Sequence, residues 1–175
     1  MKKLIALLLV LTVALGMAAC GGKSGAEQPA AENLQGTAEE LIADVNEKHA
    51  AVELPLMTTT LDLTDLDGLT YNTGLTSADQ VTDVAISEPM MGQPYSLVLV
   101  RVAEGADAAA VAQEMFNKVD GRKWVCMEAD TRIAASYGDV ALFFMVSSEF
   151  AEQVTTASVL EAFKAICPGQ VKVID

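Results

Sequence analysis

The chain has 175 residues, half of them hydrophobic but few aromatic, and carries 24 acidic against 11 basic side chains for a formal net charge of -13. A surface of that sign repels nucleic acid and anionic lipid headgroups alike, so nucleic-acid partners and polybasic membrane adhesion are excluded.

At the N-terminus, Lys2 and Lys3 form a positive n-region, Leu4 to Leu15 an apolar h-region, and Gly16 to Ala19 a small-residue approach to a cleavage site. The 12-residue apolar run falls short of the roughly 20 needed to span a bilayer. Met17-Ala18-Ala19-Cys20, followed by Gly21-Gly22, matches a lipoprotein leader at every position except Met17, where Leu is usual. The alternative is an ordinary signal peptide cut near a coincidental cysteine. On the lipoprotein reading, residues 1–19 are the signal peptide and the Cys20 thiol carries a diacylglycerol. No other cofactor is expected. Each buried methylene contributes about 0.8 kcal/mol, so one acyl chain binds marginally and a second makes the anchor stable. Membrane lipid is then a partner through Cys20, and the location is the extracytoplasmic face of a cell membrane.

Cleavage removes Lys2 and Lys3 and no acid, taking the net charge from -13 to -15. Gly21 to Gly36 is rich in Gly, Ala and Glu without apolar periodicity and reads, with Cys20, as a flexible tether. Its typical reach is roughly 22 Å. Residues 37–175 then form a single domain.

The Thr37-Ala38-Glu39-Glu40 capping box opens a helix with Ala38, Leu41, Ile42, Val45 and His49 on one face. Pro55 stops it. Leu54 to Leu63, with Thr58-Thr59-Thr60, reads as extended chain, and Asp62 to Ser77 as a long ordered loop with about one helical turn. Strands follow at Asp83 to Glu88 and Ser96 to Val102, separated by a turn at Met90 to Pro94. Asp107 caps a helix facing inward with Val111, Ala112, Met115, Phe116 and Val119, which Asp120-Gly121 ends. Trp124 to Met127 and Arg132 to Ser136 read as extended, Tyr137-Gly138-Asp139 as a tight turn, and Val140 to Val146 as an apolar strand. Thr156 caps a last helix bearing Val159, Leu160, Phe163 and Ile166, closed by Pro168-Gly169, with an edge strand at Val171 and Val173.

The expected fold is α+β: a mainly antiparallel sheet made by two strand-strand-helix units, packed with an additional N-terminal helix. Leu97 to Val102 and Val140 to Val146 are apolar on both alternating faces and belong in the middle of a sheet covered on both sides. The two repeat helices are expected on one side. The chain's own N-terminal part is expected on the other, since an open apolar face would exceed what soluble monomers tolerate.

Chemical motifs are sparse. Cys126 and Cys167 could form a disulfide, stabilising by roughly 4 kcal/mol in the loop-entropy picture, or remain two buried thiols. The lone histidine, His49, continues an apolar helical stripe and suits packing or a helix C-terminus better than catalysis. Asp62, Asp65 and Asp67 lack calcium-loop spacing and read as solvated, helix-capping acids. Met90-Met91 suits hairpin-tip packing rather than soft-metal binding, because adjacent strand residues point opposite ways; no metal site is expected. Lys118, Arg122, Lys123 and Arg132 around Trp124 form the one basic cluster, open to an anion or partner contact or to pairing with neighbouring acids.

The leader ending in Cys20, Glu39-Glu40-Leu41-Ile42, Tyr71-Asn72-Thr73-Gly74-Leu75, the Leu97 to Val102 strand leading to Asp107, Lys123-Trp124 and Tyr137-Gly138-Asp139 together resemble an uncharacterised lipoprotein family of Gram-positive, often gut-dwelling, bacteria, a domain of unknown function. The resemblance spans most of residues 37 to 165 and implies a domain between membrane and wall, with no catalytic residues to transfer. Three classes are thereby left: a non-catalytic binding module for a membrane or cell-wall protein, a small-solute receptor, or an enzyme acting through Cys126. The first is favoured, and no catalytic residue is assigned.

Overall fold

The computed structural model describes residues 32–49, 54–150 and 154–175. Helix α1 (Ala38–Lys48) is followed by β1 (Leu56–Thr60), α2 (Leu66–Thr73), β2 (Val81–Pro89), β3 (Tyr95–Val102) and α3 (Ala108–Lys118). Then come β4 (Thr131–Tyr137), β5 (Val140–Val146), a 3-10 turn at Ser148–Phe150, α4 (Thr156–Ile166) and β6 (Lys172–Ile174). The six strands form one sheet in the order β1-β2-β3-β5-β4-β6, every pairing antiparallel. The fold is α+β, and β3 and β5 occupy the centre as their two-sided hydrophobicity requires.

Side-chain alternation divides the core in two. Leu97, Leu99, Leu142 and Phe144 face one layer, Val98, Val100, Phe143 and Met145 the other, and all eight are fully buried. Against the first face pack α1 and α4; against the second, α2 and α3. The two repeat helices thus lie on opposite faces, not together. Six strands about 4.8 Å apart make a surface more than 20 Å wide, and a helix covers roughly 10 Å of it, so each face needs two helices. The N-terminal part supplies one helix to each face.

Local capping explains most boundaries. At α1 the Thr37 hydroxyl accepts from Glu40 N–H at 3.2 Å and the Glu40 carboxylate accepts from Thr37 N–H at 2.8 Å, the reciprocal box expected. The segment from Asp62 to Ser77 is more helical than its composition predicts. Asp65 caps α2 by accepting from Gly68 N–H, and Gly74 ends it in a left-handed conformation, φ 72°. A Cβ at Gly74 would lie 2.6 Å from Lys118 Cβ and 3.1 Å from α3 backbone, so this glycine also lets α2 close on α3. The final helix is capped by Thr155, one residue before the expected Thr156, because Ser158 completes a box with it.

Two further expectations change. Trp124 to Met127 is turn rather than strand, with Cys126 at φ 63°. The tether's last residues belong to the domain: Leu34 is buried, and Arg101 donates to the Leu34 and Gly36 carbonyls while pairing with Asp139 at 2.7 Å. Cys20 and the leader lie outside the described residues. Among the described residues, no helix is long and apolar enough to cross a membrane.

Candidate functional site

The basic cluster singled out in the sequence comes together around the loop that follows α3, and its members have distinct fates. Lys118 pairs with Glu114 at 2.6 Å along α3, and Arg122 with Glu128 at 3.3 Å, both largely exposed. Arg132 reaches back to the carbonyls of Phe116 and Val119, at 3.3 and 3.1 Å, and satisfies the C-terminal end of α3. An incoming anion would have to displace an existing partner from each.

Lys123 is the centre of the arrangement. Its side chain is only 2% exposed, and its ammonium donates to Glu88, to Asn72 Oδ1 at 3.2 Å and to Ser96 Oγ at 3.2 Å. Three donors thereby meet three acceptors, which is what burial of an ammonium demands. Two aromatic faces complete the enclosure, with the nitrogen 5.5 Å from the Tyr71 centroid and 5.2 Å from that of Trp124. The Tyr71 hydroxyl in turn donates to the Lys123 carbonyl at 2.8 Å. One lysine therefore ties α2, β2, β3 and the loop after α3 into a single block.

Several large apolar side chains are exposed on the segments that build this block. Tyr71, Met90, Met91, Val125, Met127 and Met57 are exposed by 43 to 88%. Their placement follows from register. Met57 pairs with Glu88 and so projects on the same face as the lysine cage. Met90 and Met91 occupy the β2–β3 hairpin, with Met90 N–H bonded to the Pro55 carbonyl beside β1. Val125 and Met127 flank Cys126, two to four residues beyond Lys123. The methionines sit at the hairpin tip as expected, but project into solvent instead of packing. Sequence reasoning missed Glu88, Asn72, Ser96 and Tyr71 as partners, because they lie 27 to 52 residues from Lys123 and only the strand register brings them to it.

The remaining candidates separate. Cys126 and Cys167 are free thiols: Cys126 adjoins the lysine cage on the α2/α3 side, whereas Cys167 packs against the core under α1 and α4. They are not bridged to one another. Burial pushes the Cys167 thiol up to about 12. A maleimide at neutral pH is expected to label Cys126 within minutes and Cys167 far more slowly, read by mass spectrometry; equal labelling rates would contradict this placement.

Burial likewise lowers the pKa of His49, which favours its neutral imidazole, and Nε2 is buried with no hydrogen-bond partner among the described residues. It lines a cleft of about 360 Å³ with Lys48, Ser158, Glu161, Ala162 and Ala165. Among the described residues, no three metal-ligating side chains converge. Of the three acids before Gly68, Asp65 caps α2 and Asp62 accepts from Thr64 N–H and Oγ, which holds its carboxyl below the usual range. Comparison with known proteins finds no matching family model, no matching curated protein and no matching solved structure.

Proposed function

We propose that the chain is a membrane-anchored extracytoplasmic lipoprotein whose domain is a non-catalytic docking module for a membrane or cell-wall protein. The observation that carries this reading is the apolar rim of Met57, Tyr71, Met90, Met91, Val125 and Met127, held on a rigid block by the neutralised Lys123. Exposed apolar area rimmed by polar side chains is what a protein partner buries, and methionine-rich surfaces adapt their shape to it.

Orientation supports a protein rather than the anchoring bilayer as the partner. The chain enters the domain at Leu34 to Gly36, beside Arg101 at the C-terminal end of β3, while the rim surrounds the opposite end of that strand near Tyr95. Six residues of strand separate the two ends by roughly 20 Å. A lipid on Cys20 would therefore tether the domain from one end and present the rim at the other.

The test is cross-linking in intact cells producing the lipidated protein, with mass spectrometry of what is retained. One reproducible membrane or wall partner is expected, lost with Cys20→Ala and reduced about tenfold by Met91→Lys with Val125→Asp, since a charge in a buried apolar contact costs over 1.4 kcal/mol. An unchanged partner in the rim variant would remove the reading.

A second reading, a small-solute receptor, has the His49 cleft in its favour, because a buried imidazole nitrogen with no partner among the described residues can accept a hydrogen bond from a ligand. A metabolite that raises Tm in the wild type but not in His49→Gln would favour that reading over docking.

A further inference from the structure

The two edges of the sheet differ. β6 is three residues long and begins with Lys172, two devices that discourage further pairing. β1, Leu56-Met57-Thr58-Thr59-Thr60, has no charge, no proline and no bulge, and its β-branched run favours strand pairing.

The hydrogen-bond phase shows which of its groups are free. Leu61 N–H bonds to the Val84 carbonyl and Met90 N–H to the Pro55 carbonyl, so the pairs formed by odd-numbered β1 residues are the hydrogen-bonded ones. Met57 and Thr59 therefore point their backbone groups at β2. Leu56, Thr58 and Thr60 point theirs outward. Leu56 N–H is satisfied by the Leu54 carbonyl at 2.8 Å, whereas the N–H and C=O groups of Thr58 and Thr60 have no protein partner among the described residues. Met57, within this strand, also belongs to the apolar rim.

We infer that β1 takes up an extended segment of the partner protein as a seventh strand, hydrogen-bonded to Thr58 and Thr60 and carrying Lys or Arg beside Asp62. The inference rests on the interaction-module reading and names how the partner is held. Main-chain bonds to an open edge supply affinity in such additions, and pockets beside alternate side chains supply selection. Charge decides the occupant's chemistry. Asp62, Asp65 and Asp67 follow β1 directly, and the chain's net charge is -13, so a basic segment is attracted where a second copy of the same acidic chain is repelled.

The test uses the full chain in lipid nanodiscs and a capped peptide, Lys-Thr-Val-Thr-Val-Thr-Val-Thr-Lys, at millimolar concentration, with hydrogen exchange resolved to single amides. The Thr58 and Thr60 amides are expected to exchange freely alone and about tenfold more slowly with the peptide. The slowing should persist in Thr58→Val, which keeps the N–H, and vanish in Thr58→Pro, which removes an outward N–H and leaves the β2 ladder intact. Thermal unfolding of Thr58→Pro checks that it folds; Thr59→Pro, which breaks an inward bond, marks the loss expected of a damaged sheet.

Unchanged exchange with the peptide would overturn the inference, as would protection already present without it in a sample that sediments as a dimer, since a second copy would then hold the edge. Cross-linking lost in the Met91 variant while β1 stays unprotected would overturn strand addition alone and leave the docking reading standing.

Discussion

Replacing Lys123 by Ala is expected to lower the stability of the domain by about 3 kcal/mol, the usual result of removing one member of a buried ion pair. Three acceptors, on Glu88, Asn72 and Ser96, lose their donor at once, and Glu88 becomes a partly buried, unpaired carboxylate. Glu88 keeps 32% of its side chain exposed, so water relieves part of the penalty and the value sits at the lower end of the range for such deletions. Lys123→Met with Glu88→Leu should cost less than Lys123→Ala alone, because no charge is then left behind. The check is urea unfolding of Lys123→Ala and, combined as a double-mutant cycle, of Lys123→Met, Glu88→Leu and the two together. A loss below 1 kcal/mol for Lys123→Ala would mean that the lysine is an accessory to the block rather than its centre.

That lysine marks the boundary of what the sequence discloses. Its position in a basic cluster beside Trp124 was legible, and so was the choice between an anion site and internal pairing. The outcome was not, since Glu88, Asn72, Ser96 and Tyr71 reach it through register and through the seating of α2. The helix α2 was itself hidden: its eight residues include Gly68, Thr70, Asn72 and Thr73, poor helix formers, and its stability comes from the Asp65 cap, the Gly74 terminus and burial of Leu69. An aspartate and a glycine spaced to cap eight residues were the available signal. Much of the remaining architecture was legible because the two-sided hydrophobic runs of β3 and β5 and the caps at Thr37 and Asp107 are local devices that tertiary structure does not override. Distribution of helices between the two faces is different in kind. It depends on how much area each face must cover, and no single segment carries that information.

At the other side of the sheet, Phe144→Ala is expected to cost about 4 kcal/mol, within the range for deleting a fully buried aromatic ring. Phe144 lies on the central strand between α1 and α4 and meets Tyr95 edge-on, with ring centroids 5.0 Å apart at 71°. Deleting the ring also removes that edge-on contact, which contributes roughly 1 kcal/mol of its own. Tyr95→Phe should behave in the opposite sense. Its hydroxyl is buried without a partner among the described residues, and burial raises its pKa well above the ordinary tyrosine value, so removing the oxygen relieves desolvation while preserving the ring contact. Stability is expected to stay level or rise by about 1 kcal/mol. Thermal unfolding of both variants separates the two contributions. A fall of more than 1 kcal/mol for Tyr95→Phe would mean that the hydroxyl is satisfied in the folded protein. Because Tyr95 starts β3 directly behind the Met90 to Pro94 hairpin, that result would also connect the packing beneath α1 to the position of the exposed methionines.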